Sequence, residues 1–125
     1  MLSSSRVLRL GDYEVTIELL PGTSSIDFEN AVSIIREVAS VASAYVVPLD
    51  RRIVATVDTT KVKMKLLFRE MDAQFFITLL ELFDYLYVYS MKVTDHVIEL
   101  VIDLGAADVI KEFTRGSMEC EGRGY

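Results

Sequence analysis

The chain has 125 residues, of which 51% are apolar, and carries a net charge of −6 with one cysteine and one histidine. That length suits a single domain around one core. Cys120 alone excludes an internal disulfide, Cys120 and His96 match no recognised metal-ligand spacing, and the acidic balance argues against indiscriminate binding of phosphate backbones.

Residues 6–20 read as a hairpin. Val7, Leu8 and Leu10 lead to Gly11-Asp12, a pair suited to a tight primed turn. Tyr13, Val15, Ile17 and Leu19 then alternate with Glu14, Thr16 and Glu18. Pro21-Gly22 stops the strand, and Thr23, Ser24 and Ser25 offer N-caps for a helix with Asp27 and Glu29 in its first turn. The expected core stripe of that helix is Phe28, Ala31, Val32, Ile35, Val38, Ala39 and Ala42. Pro48 closes the unit.

The plan then repeats. Ile53, Ala55 and Val57 alternate on one strand, Thr59-Thr60 turns the chain, and Val62, Met64, Leu66 and Phe68 alternate with Lys61, Lys63 and Lys65 on the next. The stretch from Asp72 to Val88 predicts a helix that is apolar on nearly every face, which points to burial on all sides, in a core or against a partner. Asp72, Gln74, Glu81 and Asp84 interrupt it, so it is not expected to span a membrane. A long strand from Met91 to Leu104 is expected next, followed by a short helix from Ala106 to Phe113. Residues 1–115 are expected to form one domain, and the glycine-rich 116–125 a tail. Hairpins alternating with helices predict an α+β fold, a mostly antiparallel sheet with two main helices on one face. Phe28, Ile35, Phe76, Leu80 and Phe83 would be buried against the sheet, leaving Thr16, Glu18, Lys63 and Lys65 on its other face.

The mean hydropathy of +0.33 is slightly high for a soluble domain, which fits a buried oligomer interface as well as a core-rich monomer. The N-terminus lacks an apolar run with a small-residue cleavage site, so a cytoplasmic protein is expected. Few residues invite chemistry. Lys61, Lys63, Lys65 and Arg69, with Arg51 and Arg52 nearby, could contact phosphates, although a solvated strand face gives the same pattern. The carboxylate pairs Asp12/Glu14 and Glu70/Asp72 sit where turn and helix-start residues ordinarily cap. His96 lies in a turn-like Thr-Asp-His beside Asp95, with no nucleophile in a motif to accompany it. Cys120 has no neighbour that would stabilise a thiolate. Tyr85, Tyr87 and Tyr89 fit interface or core packing better than a cofactor box, and no phosphate-binding or zinc-protease motif occurs. The expectation is a non-enzymatic protein without cofactor or metal.

Three segments resemble the small dimerising subunit of the KEOPS complex, which makes threonylcarbamoyl-adenosine in transfer RNA. A strand ends in a Pro and Ser/Thr-rich turn and opens a helix (VTIELLPGTSSIDFENAVSII). A strand pair ends in Phe68-Arg69. A helix comes next with an aliphatic-aromatic run ending in LFDYL, Leu82 to Leu86. The likeness covers Val15 to Val93, but where that family has an Arg and an Asn-Ser pair this chain has Ile77, Glu81 and Leu82. The resemblance implies a non-catalytic homodimer that bridges copies of the KEOPS catalytic subunit, with transfer RNA met through the complex and no membrane. Together with the all-round apolar helix it marks Phe75, Leu79, Leu82, Phe83 and Leu86 as the expected dimer or partner contacts. A stand-alone RNA-binding module using residues 61–69 is the alternative reading, and an enzyme with its site between protomers a further one.

Overall fold

The computed structural model describes residues 4–111, so the expected 116–125 tail, Cys120 and the end of the last helix lie outside the described residues. β1 (Ser4–Leu10) and β2 (Tyr13–Leu19) form the expected hairpin. Gly11 takes φ +61, a backbone state that costs a glycine nothing and lets a two-residue turn match the twist of its strands. Tyr13, Val15, Ile17 and Leu19 are all buried, as the alternation requires.

α1 (Ser25–Tyr45) begins with a reciprocal cap: the Asp27 N–H donates to Ser24 Oγ at 3.1 Å and the Ser24 N–H donates to Asp27 Oδ2 at 3.0 Å. Its buried face is Ala31, Ile34, Ile35, Val38, Ala39 and Ala42, with Phe28 and Val32 half-buried at its flank. The helix runs straight into β3 (Val46–Val57). β3 pairs parallel to β2, so β2-α1-β3 is a crossover unit and the one parallel join of the sheet. Its register with β4 (Lys61–Met71) shifts on both sides of Pro48, whose ring nitrogen has no hydrogen to give the ladder.

The next segments depart from the sequence expectation. The helix predicted over Asp72–Val88 is α2 (Gln74–Phe83), only ten residues long. Asp84 takes φ 67, outside helical space, and its carboxylate accepts the Leu86 N–H at 3.2 Å to build the three-residue turn Tyr85–Tyr87. Beyond it, aromatic and β-branched residues enter a strand. The single strand predicted over Met91–Leu104 is a hairpin, β5 (Val88–Thr94) and β6 (Val97–Asp103). Asp95, at φ 53, makes the turn; aspartate is among the few non-glycine residues that visit this region readily. Residues 106–111 are helical.

The result is an α+β fold with one six-stranded sheet, ordered β1-β2-β3-β4-β6-β5 and mostly antiparallel. Alternating sheet residues such as Ile17, Ile53, Met64 and Leu100 are fully buried under α1 and α2. The side chains between them, on the other face, meet no second layer in the described chain.

Candidate association surface

α2 is sided, not uniformly covered. Phe75, Leu79 and Phe83 recur at a spacing of four residues and are fully buried in the core of their own chain. Three of the five residues expected at a dimer contact are therefore core residues. The reason is shortness: ten residues give one inward stripe, and the sheet beneath consumes it. Leu82 is half-buried against the same core, and Leu86 stands 71% exposed on the turn after the helix. The expected burial of Leu80 is likewise corrected, since its side chain is exposed, and Phe76 is only half-buried.

Sequence reasoning names Leu86 as a contact and leaves Tyr85 and Tyr89 to interface or core packing, but it does not mark Ile77, Leu80 or Val93 as part of an outer flank. Ile77 and Leu80 are exposed on α2, Tyr85 and Leu86 on the turn, and Tyr89 and Val93 on β5. These apolar side chains track the chain from helix to strand. The signal was present in the tyrosine spacing, but reading the segment as helix hid it.

The local geometry explains the display. Tyr87 N–H donates to Asp84 O at 3.1 Å, closing a turn that throws Tyr85 and Leu86 outward. Tyr87 itself is held over Gly105, where an added Cβ would lie 3.1 Å from its ring and 3.0 Å from Asp103 Oδ1. The Tyr89 hydroxyl donates to Asp103 Oδ2 at 2.6 Å, and that hydrogen bond to a carboxylate, then the carboxylate's charge, raises the phenol's pKa.

β5 lies at the end of the sheet, so among the described residues no strand lies beside the outer side of its backbone. Phe68 N–H donates to His96 O at 2.8 Å and Leu104 N–H to Thr60 O at 2.9 Å, so even-numbered residues of β6 turn their backbone groups toward β4. Odd-numbered ones face β5, where Ser90, Lys92 and Thr94 lie opposite Val101, Glu99 and Val97. Met91 and Val93 are left presenting N–H and C=O groups outward. A bare edge of this kind, bordered by exposed apolar side chains, is a template for pairing with another chain.

Of the candidate phosphate contacts, Lys61, Lys63 and Lys65 share the face away from the helices, alternating with buried Val62, Met64 and Leu66. Each already has an anion: Lys61 is 3.6 Å from Asp58, and Lys63 and Lys65 lie 3.9 and 3.7 Å from Glu99 Oε2. Arg69 is exposed past Phe68, where the pairing with β3 shifts register.

The other candidates hold structure together. Asp12 stands 3.9 Å from Arg51. Asp72 Oδ1 accepts the Gln74 N–H at 2.9 Å at the start of α2. His96 Nδ1 lies 3.0 Å from Phe68 O, with its ring tilted against Phe68. Among the described residues no group of three or more His, Cys, Asp or Glu could hold a metal ion, and no helix is long and apolar enough to cross a membrane. No family model, curated protein or solved structure matches the chain.

Proposed function

We propose that the protein is a non-catalytic scaffold that self-associates along β5, as a cytoplasmic subunit of a KEOPS-like transfer-RNA-modifying assembly. The observation that carries the association is the unpaired β5 edge bordered by exposed Tyr85, Leu86, Tyr89 and Val93. The transfer-RNA part rests on the sequence resemblance.

A second copy is the natural complement of this edge, because antiparallel pairing of β5 with itself has a favourable register. With Met91 opposite Met91 of the second copy, the outward backbone groups of the two strands meet. Lys92 then faces Ser90, not another Lys92. A two-residue shift that set Lys92 against itself would place like charges directly opposite. Such a two-fold contact is closed, giving a dimer instead of a fibre. The flanking apolar residues add burial that one strand edge lacks.

The register is tested with Met91→Cys in a Cys120→Ser background. Cα atoms of a hydrogen-bonded antiparallel pair are about 5.5 Å apart, within disulfide reach. Mild oxidation should give a covalent dimer from Met91→Cys and none from a control cysteine at exposed Ser40 on α1. Equal cross-linking at both positions would remove β5 as the seam.

The stand-alone RNA-binding reading is favoured by one observation, three lysines on one exposed face, and opposed by the ion pairs those lysines make. Phosphate contacts would show as binding that weakens steeply with salt.

A further inference from the structure

Among the described residues no element covers the face of the sheet opposite the helices, and the charge of that face differs in sign from that of the other described residues. In the regularly paired block, this face carries six cations (Arg9, Arg52, Lys61, Lys63, Lys65, Lys92) and four carboxylates (Glu14, Glu18, Glu99, Asp103). The other described residues carry five cations against twelve carboxylates. The cations lie in rows across the strands. Arg9, Glu14 and Arg52 are successive neighbours, and Lys65, Glu99 and Lys92 repeat the cation-carboxylate-cation order.

Between the two rows runs an apolar path. Val7 on β1 and Val54 on β3 are 63% and 57% exposed and share a register line through Thr16. Leu67 on β4 is the diagonal neighbour of Val54, and Val97 on β6 lies opposite Leu67. The path crosses five strands obliquely, with Arg9 and Arg52 on one flank and Lys63 and Lys65 on the other.

We propose that this face docks an acidic amphipathic helix of a partner protein, its apolar stripe on Val7, Val54 and Leu67 and its carboxylates toward the flanking cations. A sheet face left bare by its own chain is commonly completed by a helix layer. Five strands span about 19 Å at ~4.8 Å spacing, which ~13 helical residues cover.

Charge selects this occupant over the others. A second copy laid face to face would oppose two positively biased surfaces. A nucleic acid would meet four carboxylates among the cations, and the exposed ring that reaches this face, Tyr89 at its β5 margin, has its hydroxyl tied to Asp103 at 2.6 Å. The proposal concerns a different face from the β5 edge and stands whether or not β5 pairs.

The test is selection from a phage library of 13-residue helical peptides on the intact protein, with affinities of the enriched peptides measured on purified variants. Val54→Glu and Leu67→Glu alter exposed side chains, so the fold should survive; circular dichroism checks it. Enriched peptides should carry an apolar i, i+3, i+4 stripe bordered by Asp and Glu. They should bind the wild type at least tenfold more tightly than Val54→Glu or the Lys63→Glu/Lys65→Glu double variant. No enrichment, enrichment of peptides without acidic flanks, or binding indifferent to Val54→Glu would overturn the proposal. So would a mixed-sequence 13-nucleotide RNA that competes fully with the enriched peptides.

Discussion

Tyr13 shows how a single polar atom can be placed at a disadvantage. The residue is 1% exposed, and among the described residues its hydroxyl is the buried side-chain oxygen without a hydrogen-bond partner. Burial pushes the phenol's pKa above its usual value of 10.0, Arg51 opposes that, and Asp12 and Asp50 reinforce it. An acid whose folded-state pKa is raised stays protonated when the unfolded chain has already ionised. The stabilisation is therefore complete below pH 10 and is lost as pH climbs above it. Tyr13→Phe should raise stability by about 1 kcal/mol at neutral pH, because it removes an unsatisfied buried group. It should also flatten the alkaline loss, as urea titrations at pH 7 and pH 10.5 would show. Phe83, fully buried, behaves oppositely: Phe83→Ala should cost about 3–5 kcal/mol by the same titration. A polar residue at Phe83 would thus report on folding and not on association, which makes Leu86 the better probe of a contact.

Turns decide which elements were legible in the sequence. Gly11-Asp12 and the Asp58-Thr59-Thr60 corner announce themselves by residue type, and both hairpins formed as expected. Asp58 fastens its corner by accepting the N–H groups of Thr60 and Lys61 at 2.7 and 2.9 Å and the Thr60 hydroxyl at 2.9 Å. Slight burial pushes its pKa up, but those hydrogen bonds and the Lys61 charge outweigh it, and the net shift is below the usual 3.8. The stabilisation is then present above pH 3.8 and is lost as pH falls through the lower folded value. Asp58→Ala should cost about 1 kcal/mol at pH 7 and progressively less as pH falls below 3.8, measured by thermal melts across that range. The stretch after Asp72 was misread because its breaks lie at Asp84, which interrupts no apolar rhythm, and at Asp95, whose turn-like Thr-Asp-His was not taken to end a strand. Leu-Phe-Asp-Tyr-Leu-Tyr keeps a helical rhythm through residue 87, and only the tertiary pull of β6 draws residues 88–94 into a strand. Burial went with it: Phe75, Leu79 and Phe83, expected at a dimer or partner contact, are buried in this chain's own core. The lysine alternation on β4 was plain in the sequence, whereas the Glu99 that engages two of those lysines comes from a strand read as half of something longer.

At the scale of the whole molecule, one layer of helices covers one face of one sheet, and the remaining surfaces divide by chemistry. The open face gathers cations around an apolar path, while the β5 edge and the outer flank of α2 gather exposed aliphatic and tyrosine side chains. Self-association along β5 rests on the second of these, and Leu80 and Leu86 can be changed without touching the core. The most direct test is sedimentation equilibrium of the wild type and of a Leu80→Glu/Leu86→Glu variant across micromolar concentrations, with circular dichroism to monitor folding. The wild type should sediment as a dimer, and the variant as a folded monomer whose dissociation constant has risen at least a hundredfold. A wild type that stays monomeric throughout, or a variant that remains dimeric, would contradict association through this edge.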